Sequence, residues 1–349
     1  MSGTGMARAR SKRWLMPAAG VALLVLLAVL GLAGLRVMPS YLSAWLFVLS
    51  VPAGALLLTT GIEAFADPDA DRLWSETMLA PLRGLLVPLP VLALCGVPVL
   101  LAPGLTNPGA WPAAGIGRSW FAHGASGLRM VVFLLLWSVL ALLFSTPGRH
   151  RGLARLAFAL MLVTGTLAAF DWTMAVEPDL ASSSFGLLLL SGQAVSAAAL
   201  ATLLAGRDTR ASFAMPMLVL LWIWAFLHFA QFLVVWSADQ PAEARWYLHR
   251  LNGLGEAAIW AGTLLPVLAL VLLPVRRIAA SGWPVMLVAG LALAVHLVES
   301  FWLITPAFRG AFVVGLADPV AAAGLVALVG GLWWTGLLPG STEVAHGGR

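Results

Sequence analysis

Charge is what this sequence has least of. Only 10 % of its 349 residues are Asp, Glu, Lys or Arg, where a soluble domain carries about a quarter. With 61 % hydrophobic residues and a mean hydropathy of +0.94, a soluble globular fold is excluded. Cysteine is almost missing as well: Cys95 stands alone within an apolar run. Disulfide frameworks, cysteine-ligated zinc and iron-sulfur clusters carried by this chain alone are therefore excluded. Long polar stretches are absent too, which leaves no room for a sizeable soluble domain.

What remains is a series of apolar runs, each near the roughly 20 residues that cross the hydrocarbon core of a bilayer. Breaking them at charged and Pro/Gly-rich stretches predicts ten spans over 16–37, 41–65, 79–102, 125–146, 153–176, 184–205, 213–237, 252–274, 283–306 and 317–338. The expected fold is an all-α integral membrane protein, one transmembrane domain over 1–349. Arg8, Arg10, Lys12 and Arg13 precede the first run as in a signal peptide, but the run is long and no small-x-small cleavage site follows, so it is read as a retained helix. Asp67 to Met78 is too polar to span and is expected at the interface; Pro103 to Gly124 reads as a longer loop.

The net charge of +5 is spread over short loops rather than gathered on a face, which argues against nucleic acid and for membrane orientation. Alternation over ten spans puts Arg8, Arg10, Lys12, Arg13, Arg72, Arg83, Arg149, Arg151, Arg155, Arg207, Arg210, Arg276, Arg277 and Arg349 on the side of the termini. Arg36, Arg118, Arg245, Arg250 and Arg309 fall on the other. Fourteen against five makes the terminal side cytoplasmic, with Arg129 left inside a helix. Trp14, Trp74, Trp172, Trp236, Trp246 and Trp283 fall near span ends and are expected as interfacial anchors. Small-residue stripes at Gly54 to Gly61 and at Ser191, Gly192, Ser196 and Ala199 predict close helix crossings, and prolines such as Pro88 and Pro266 predict kinks whose freed carbonyls need other donors.

Ionisable groups inside spans cost several kcal/mol and call for a reason. They are Glu63, Arg129, Asp171, His228, Glu256, His296 and Glu299, and all but Glu63 fall toward the outer side. His296 and Glu299 are three apart, as are His228 and Gln231, so each pair shares a helix face. If those faces meet, a protonatable relay results. A quinone site needs the same groups, set in an apolar slot. Simpler roles stand beside these: Arg129 as counter-ion to Asp171 or Glu256, Asp171 and Glu177 as loop-orienting groups, His228 as a hydrogen-bonded interior histidine, Glu63 as a group reaching water. Two histidines could ligate at most one haem, and neither has the small-residue gap a porphyrin edge needs.

Several stretches carry a family resemblance. FDWTMAVEPD from Phe170, with SSSFG after it, resembles the segment after the fifth helix of the second quinone-binding-type membrane subunit of alternative complex III, a quinol:cytochrome c oxidoreductase. SYLSAWLFVLSVPAGALLL from Ser40, LRMVVFLLLWSVLALL from Leu128, FAQFLVVWSADQPAEARWYLHR from Phe229 and HLVESFWLITP from His296 are similar to its second, fourth, seventh and ninth helices. Glu299 stands where that family is expected to have Asp, and Asp179 and Leu180 stand where it has an aromatic residue and often His.

The resemblance implies the polysulfide-reductase membrane-anchor fold: two four-helix bundles flanked by two further helices, both termini cytoplasmic, in a bacterial inner membrane. It implies as partners a paralogous ten-helix subunit, a periplasmic iron-sulfur subunit and c-type cytochrome subunits. It implies no covalently bound cofactor or metal in this chain and a proton-conducting role for it, with the sister subunit as the better-supported quinol oxidiser; quinone or quinol is the one ligand expected here. The positions it shares are Arg129, Asp171, Glu177, His296 and Glu299; His228 is added from the reading of the residues alone. The expected role is proton handling through Asp171, His296 and Glu299 with Arg129 tuning their charge, and quinone binding in the same outer cavity second. A secondary transporter and a purely structural anchor are the alternatives.

Overall fold

A computed structural model describes residues 13–67, 72–102, 105, 123–177, 180, 182–207 and 209–335. Outside them lie the basic residues Arg8, Arg10, Lys12 and Arg349, the acidic residues Asp69 and Asp71, most of the expected 103–124 loop with Arg118, and Asp179. No strand occurs among the described residues. Among the described residues ten helices are long and apolar enough to cross a membrane, and the protein is an all-α multi-pass membrane protein.

The spans are α1 (Leu15–Leu32), α2 (Met38–Phe65), α3 (Ser75–Leu100), α4 (His123–Phe144), α5 (Arg151–Trp172), α6 (Phe185–Leu204), α7 (Ala214–Ala238), α8 (Gly253–Leu272), α9 (Trp283–Arg309) and α10 (Ala317–Trp334). Two details correct the sequence reading. The polar stretch before α3 is not a separate interfacial segment in its second half, because one helix runs Arg72–Leu86 straight into the span. The connection between α7 and α8 carries a helix of its own, Pro241–Leu248, opened by Pro241 at its first position.

Packing closes two rings: α2, α3, α4 and α5 form one, and α6, α7, α8 and α9 the other. The rings meet where α2 lies along α6 and α9, while α10 leans on α2 and α1 pairs with α10. That matches the expected two four-helix bundles with two flanking helices. Gly54 shows how close the central crossing is: a Cβ there would stand 1.9 Å from the carbonyl oxygen of Gln193 on α6. Ten crossings return the chain to the face where it began, here called the terminal face; the opposite one is the far face.

Prolines break α3 into Arg72–Leu86, Leu89–Cys95 and Val97–Leu100. Pro88 has no N–H to give the Gly84 carbonyl, and Trp333 of α10 donates to that oxygen instead, at 2.9 Å. Tyr41 and Trp45 of α2 donate to Cys95 O and Leu92 O at the next break, at 2.6 and 2.9 Å.

The tryptophans divide. Trp14, Trp236 and Trp283 are exposed near span ends as expected of anchors. Trp172 and Trp246 are not anchors but core: Trp172 packs between Trp45 and Trp137, with centroids 5.3 and 5.6 Å away, and Trp246 lies under Arg250.

Candidate functional site

The ionisable residues picked out from the sequence fall into three groups rather than one chain. In the first, Arg129 of α4 grips Asp171 of α5 with two parallel hydrogen bonds, Nε to Oδ2 and Nη2 to Oδ1, both 2.7 Å. The Asp171 side chain is fully buried. Asp171 therefore does not join His296 and Glu299 as expected, and Arg129 answers Asp171 rather than Glu256.

The second group surrounds Glu177, past the end of α5. His249 Nδ1 lies 2.9 Å from its Oε1, and Arg250 Nη1 stands 2.8 Å from its Oε2. Arg250 is completely buried. Burial pulls its guanidinium down to about 10, with Glu177 pulling the other way. Neighbouring Tyr247 is pushed up to about 12 by burial, against a hydrogen bond with Gln231.

The third group centres on Glu299. Its Oε1 meets His228 Nε2 at 2.6 Å and accepts from Trp224 Nε1 at 3.1 Å; its Oε2 meets His296 Nδ1 at 2.8 Å. One carboxylate from α9 is thereby held by two imidazoles, one on α7 and one on its own helix. Both rings aim a nitrogen at the same carboxylate, an arrangement opposite to two histidines facing across a porphyrin. Gly192 of α6 makes room for the His296 ring, since a Cβ there would stand 3.1 Å from Cε1. Trp224 packs edge-on against His228, centroids 4.8 Å apart.

A scan of known protein-family models and a search of curated proteins found no match to this chain.

Two cavities adjoin the Glu299 group from opposite sides. The larger, about 610 Å³, lies among α7, α8 and α9 and is lined by Trp224, His228, Tyr247, Glu256, Glu299 and Trp302 together with exposed aromatics such as Phe226 and Trp260. That volume suits a small organic ligand. The smaller, about 30 Å³, lies between the two bundles, bounded by Ser50, Thr173, Gln193, His296, Glu299 and Ser300. It has room for one or two waters, and Thr173 Oγ1 and Gln193 Oε1 find no partner among the described residues. Glu299 borders both spaces, with His228 beside it in the larger and His296 in the smaller.

Sequence reasoning missed several residues of weight. Asp318, at the start of α10, takes two 2.7 Å bonds from Arg309 and one of 2.6 Å from Ser40, tying α2, α9 and α10 at the far face. It stood inside a predicted span, and its charge alone was sufficient signal. Arg250 and His249 were passed over as loop residues, although the tryptophan and tyrosine just before them mark a packed connection. Glu63, taken as a group reaching water, pairs with Arg83 at 2.7 Å.

Proposed function

We propose that this chain is a membrane subunit of a quinol-oxidising respiratory complex of the alternative complex III kind, in a bacterial inner membrane, with its termini in the cytoplasm. In that reading the quinol ring sits in the cavity among α7, α8 and α9, and the His228–Glu299–His296 group takes up and passes on its protons toward the periplasmic side. Iron-sulfur and haem chemistry would come from partner subunits, with a paralogous ten-helix subunit beside this one.

The observation that carries the reading is Glu299 held between two imidazoles at the border of two cavities, one apolar and outward-opening, one small and holding a few polar side chains. Oxidising a quinol requires an acceptor for the hydroxyl proton beside an apolar slot for ring and tail. His228 and Glu299 stand together on the wall of such a slot. The exposed aromatic lining gives a lipid-dissolved ligand a sideways approach.

A secondary transporter is less well supported. Transporters place polar and charged groups where helices unwind at mid-membrane, and the interruptions of α3 carry only apolar residues, glycine, proline and Cys95.

The test is binding of a short-chain quinone, decylubiquinone, to the purified full chain in lipid nanodiscs, read by quenching of tryptophan fluorescence. Saturable quenching is expected, weakened at least tenfold by His228→Leu and abolished by Ala258→Trp, which fills the cavity. Quenching that never saturates, or that is equal in all three proteins, overturns the proposal.

A further inference from the structure

Helix α9 carries Pro306, which has no N–H to offer the Trp302 carbonyl one turn back. That oxygen is nonetheless bonded. Arg250, from the α7–α8 connection, donates Nε to Trp302 O at 3.0 Å and Nη2 to Leu303 O at 2.8 Å. Its Nη1 donates to Trp246 O at 2.6 Å. The guanidinium lies 3.7 Å from the centroid of the Trp246 ring and 5.6 Å from that of Trp302, and the two rings meet edge to face at 5.3 Å.

A buried cation held this way needs a counter-charge, and Glu177, itself bonded to His249, supplies it. Two separate parts of the chain, the end of α5 and the α7–α8 connection, therefore converge on the proline-containing turn of α9. A planar fork is suited to bridging two successive carbonyls, which a lysine ammonium cannot do in the same geometry.

Glu299 lies three residues before Trp302, on the same face of α9, and both line the large cavity. We propose that Arg250 is a positioning residue: by bonding the Trp302 carbonyl that Pro306 leaves open and the Leu303 carbonyl beside it, it fixes the proline-containing end of α9 and so sets the Glu299 carboxylate against His228. The role rests on the proposed quinol site for its use, but its geometry stands without it. Arg250 acts through Glu299 and Trp302 and belongs to the support of the cavity, whereas His228 and Glu299 belong to its wall.

The deciding experiment is a double-mutant cycle of His228→Leu and Glu299→Gln on thermal unfolding of the full chain in detergent micelles. It is run in the wild type, in Arg250→Lys, and in Arg250→Lys combined with Pro306→Ala. The lysine keeps the charge beside Glu177, so the fold is retained; the alanine returns an N–H to the Trp302 carbonyl. Coupling between His228 and Glu299 is expected in the wild type, is expected to vanish in Arg250→Lys, and is expected to return when Pro306→Ala is added. Equal coupling in the wild type and Arg250→Lys overturns the proposal, as does coupling that stays lost when Pro306→Ala is added.

Decylubiquinone affinity, measured alongside, is expected to fall at least tenfold in Arg250→Lys with the saturating signal unchanged. Wild-type protein that binds no quinone defeats the functional reading alone; the cycle still decides the role of Arg250.

Discussion

His228 Nε2 lies 2.6 Å from Glu299 Oε1, joining α7 to α9 across the inner wall of the large cavity. No backbone contact is needed for that link; two side chains and the indole of Trp224 make it. Removing one member of a buried charged group leaves the others unpaired, a change that typically costs about 3–5 kcal/mol. Glu299→Ala strands two imidazoles and an indole N–H at once. Its thermal midpoint in micelles is expected to fall well below that of Glu299→Gln, which keeps an acceptor oxygen for Trp224. Equal midpoints for the two variants would contradict the hydrogen-bonded arrangement.

The Arg129–Asp171 pair is a separate unit and should behave as one. Arg129→Met alone takes two hydrogen bonds and a counter-charge from a fully buried carboxylate, and a loss of about 3–5 kcal/mol is expected. Replacing both, Arg129→Met with Asp171→Leu, removes that buried charge as well and should recover part of the loss. Because Asp171 does not touch the Glu299 group, the double variant should bind decylubiquinone within about threefold of wild type, or roughly 0.6 kcal/mol on the affinity scale. A tenfold loss of binding in a stably folded double variant would place Asp171 back on the proton route.

The fold was legible because a bilayer asks for one thing, about 20 apolar residues per crossing, and hydropathy reports that directly. All ten spans follow from it. The Gly54 crossing also followed, since a small-residue stripe has one main use in a membrane helix. Spacing along a helix placed His296 and Glu299 on one face, but it could not say which neighbouring helix would face them. The meeting of the His228 face with the Glu299 face stood only as a condition, and Asp171 was grouped with Glu299 by depth and by the resemblance rather than by spacing. Partner choice depends on how the bundles are rotated, and rotation is set by packing over the whole helix. The chain connections were read worst: hydropathy scored 238–251 as a loop and saw charge in Arg250, where the structure has a helix and a buried guanidinium.

Ser40, Arg309 and Asp318 form a clamp at the far face that holds the flanking helix α10 to both bundles. Asp318 also accepts from the Gly315 backbone N–H at 2.7 Å. Ser40→Ala removes a hydroxyl that donates to Asp318 and accepts from Arg309 Nη2 at 3.1 Å, and should cost about 1.5–3 kcal/mol; Asp318→Asn weakens the two-point grip of Arg309 and should cost more. Limited proteolysis of the Gly310–Leu316 turn is the direct check, with cleavage faster in Asp318→Asn than in Ser40→Ala and slowest in wild type. The reverse order would mean that α10 is held by apolar packing with α1 and not by this clamp.

Gly192 offers a way to disturb His296 while leaving every titratable group in place. A methyl group added there would stand 3.1 Å from His296 Cε1 and 3.3 Å from Nδ1, closer than ordinary van der Waals contact. The ring has the small cavity on one side and Phe47 6.0 Å away, so it is pushed by a few tenths of an ångström and its 2.8 Å contact with Glu299 Oε2 is strained. Gly192→Ala should therefore uncouple His296 from Glu299 and leave the His228–Glu299 contact on the opposite oxygen intact. Quinone affinity is set at the His228 side and should change little. Proton release coupled to quinol oxidation, measured in the assembled complex with a pH-sensitive dye, should slow at least tenfold and match His296→Leu. If Gly192→Ala instead weakens quinone binding while proton release keeps pace with oxidation, the small cavity is not the exit and the route from Glu299 must leave through Glu256 at the mouth of the larger one.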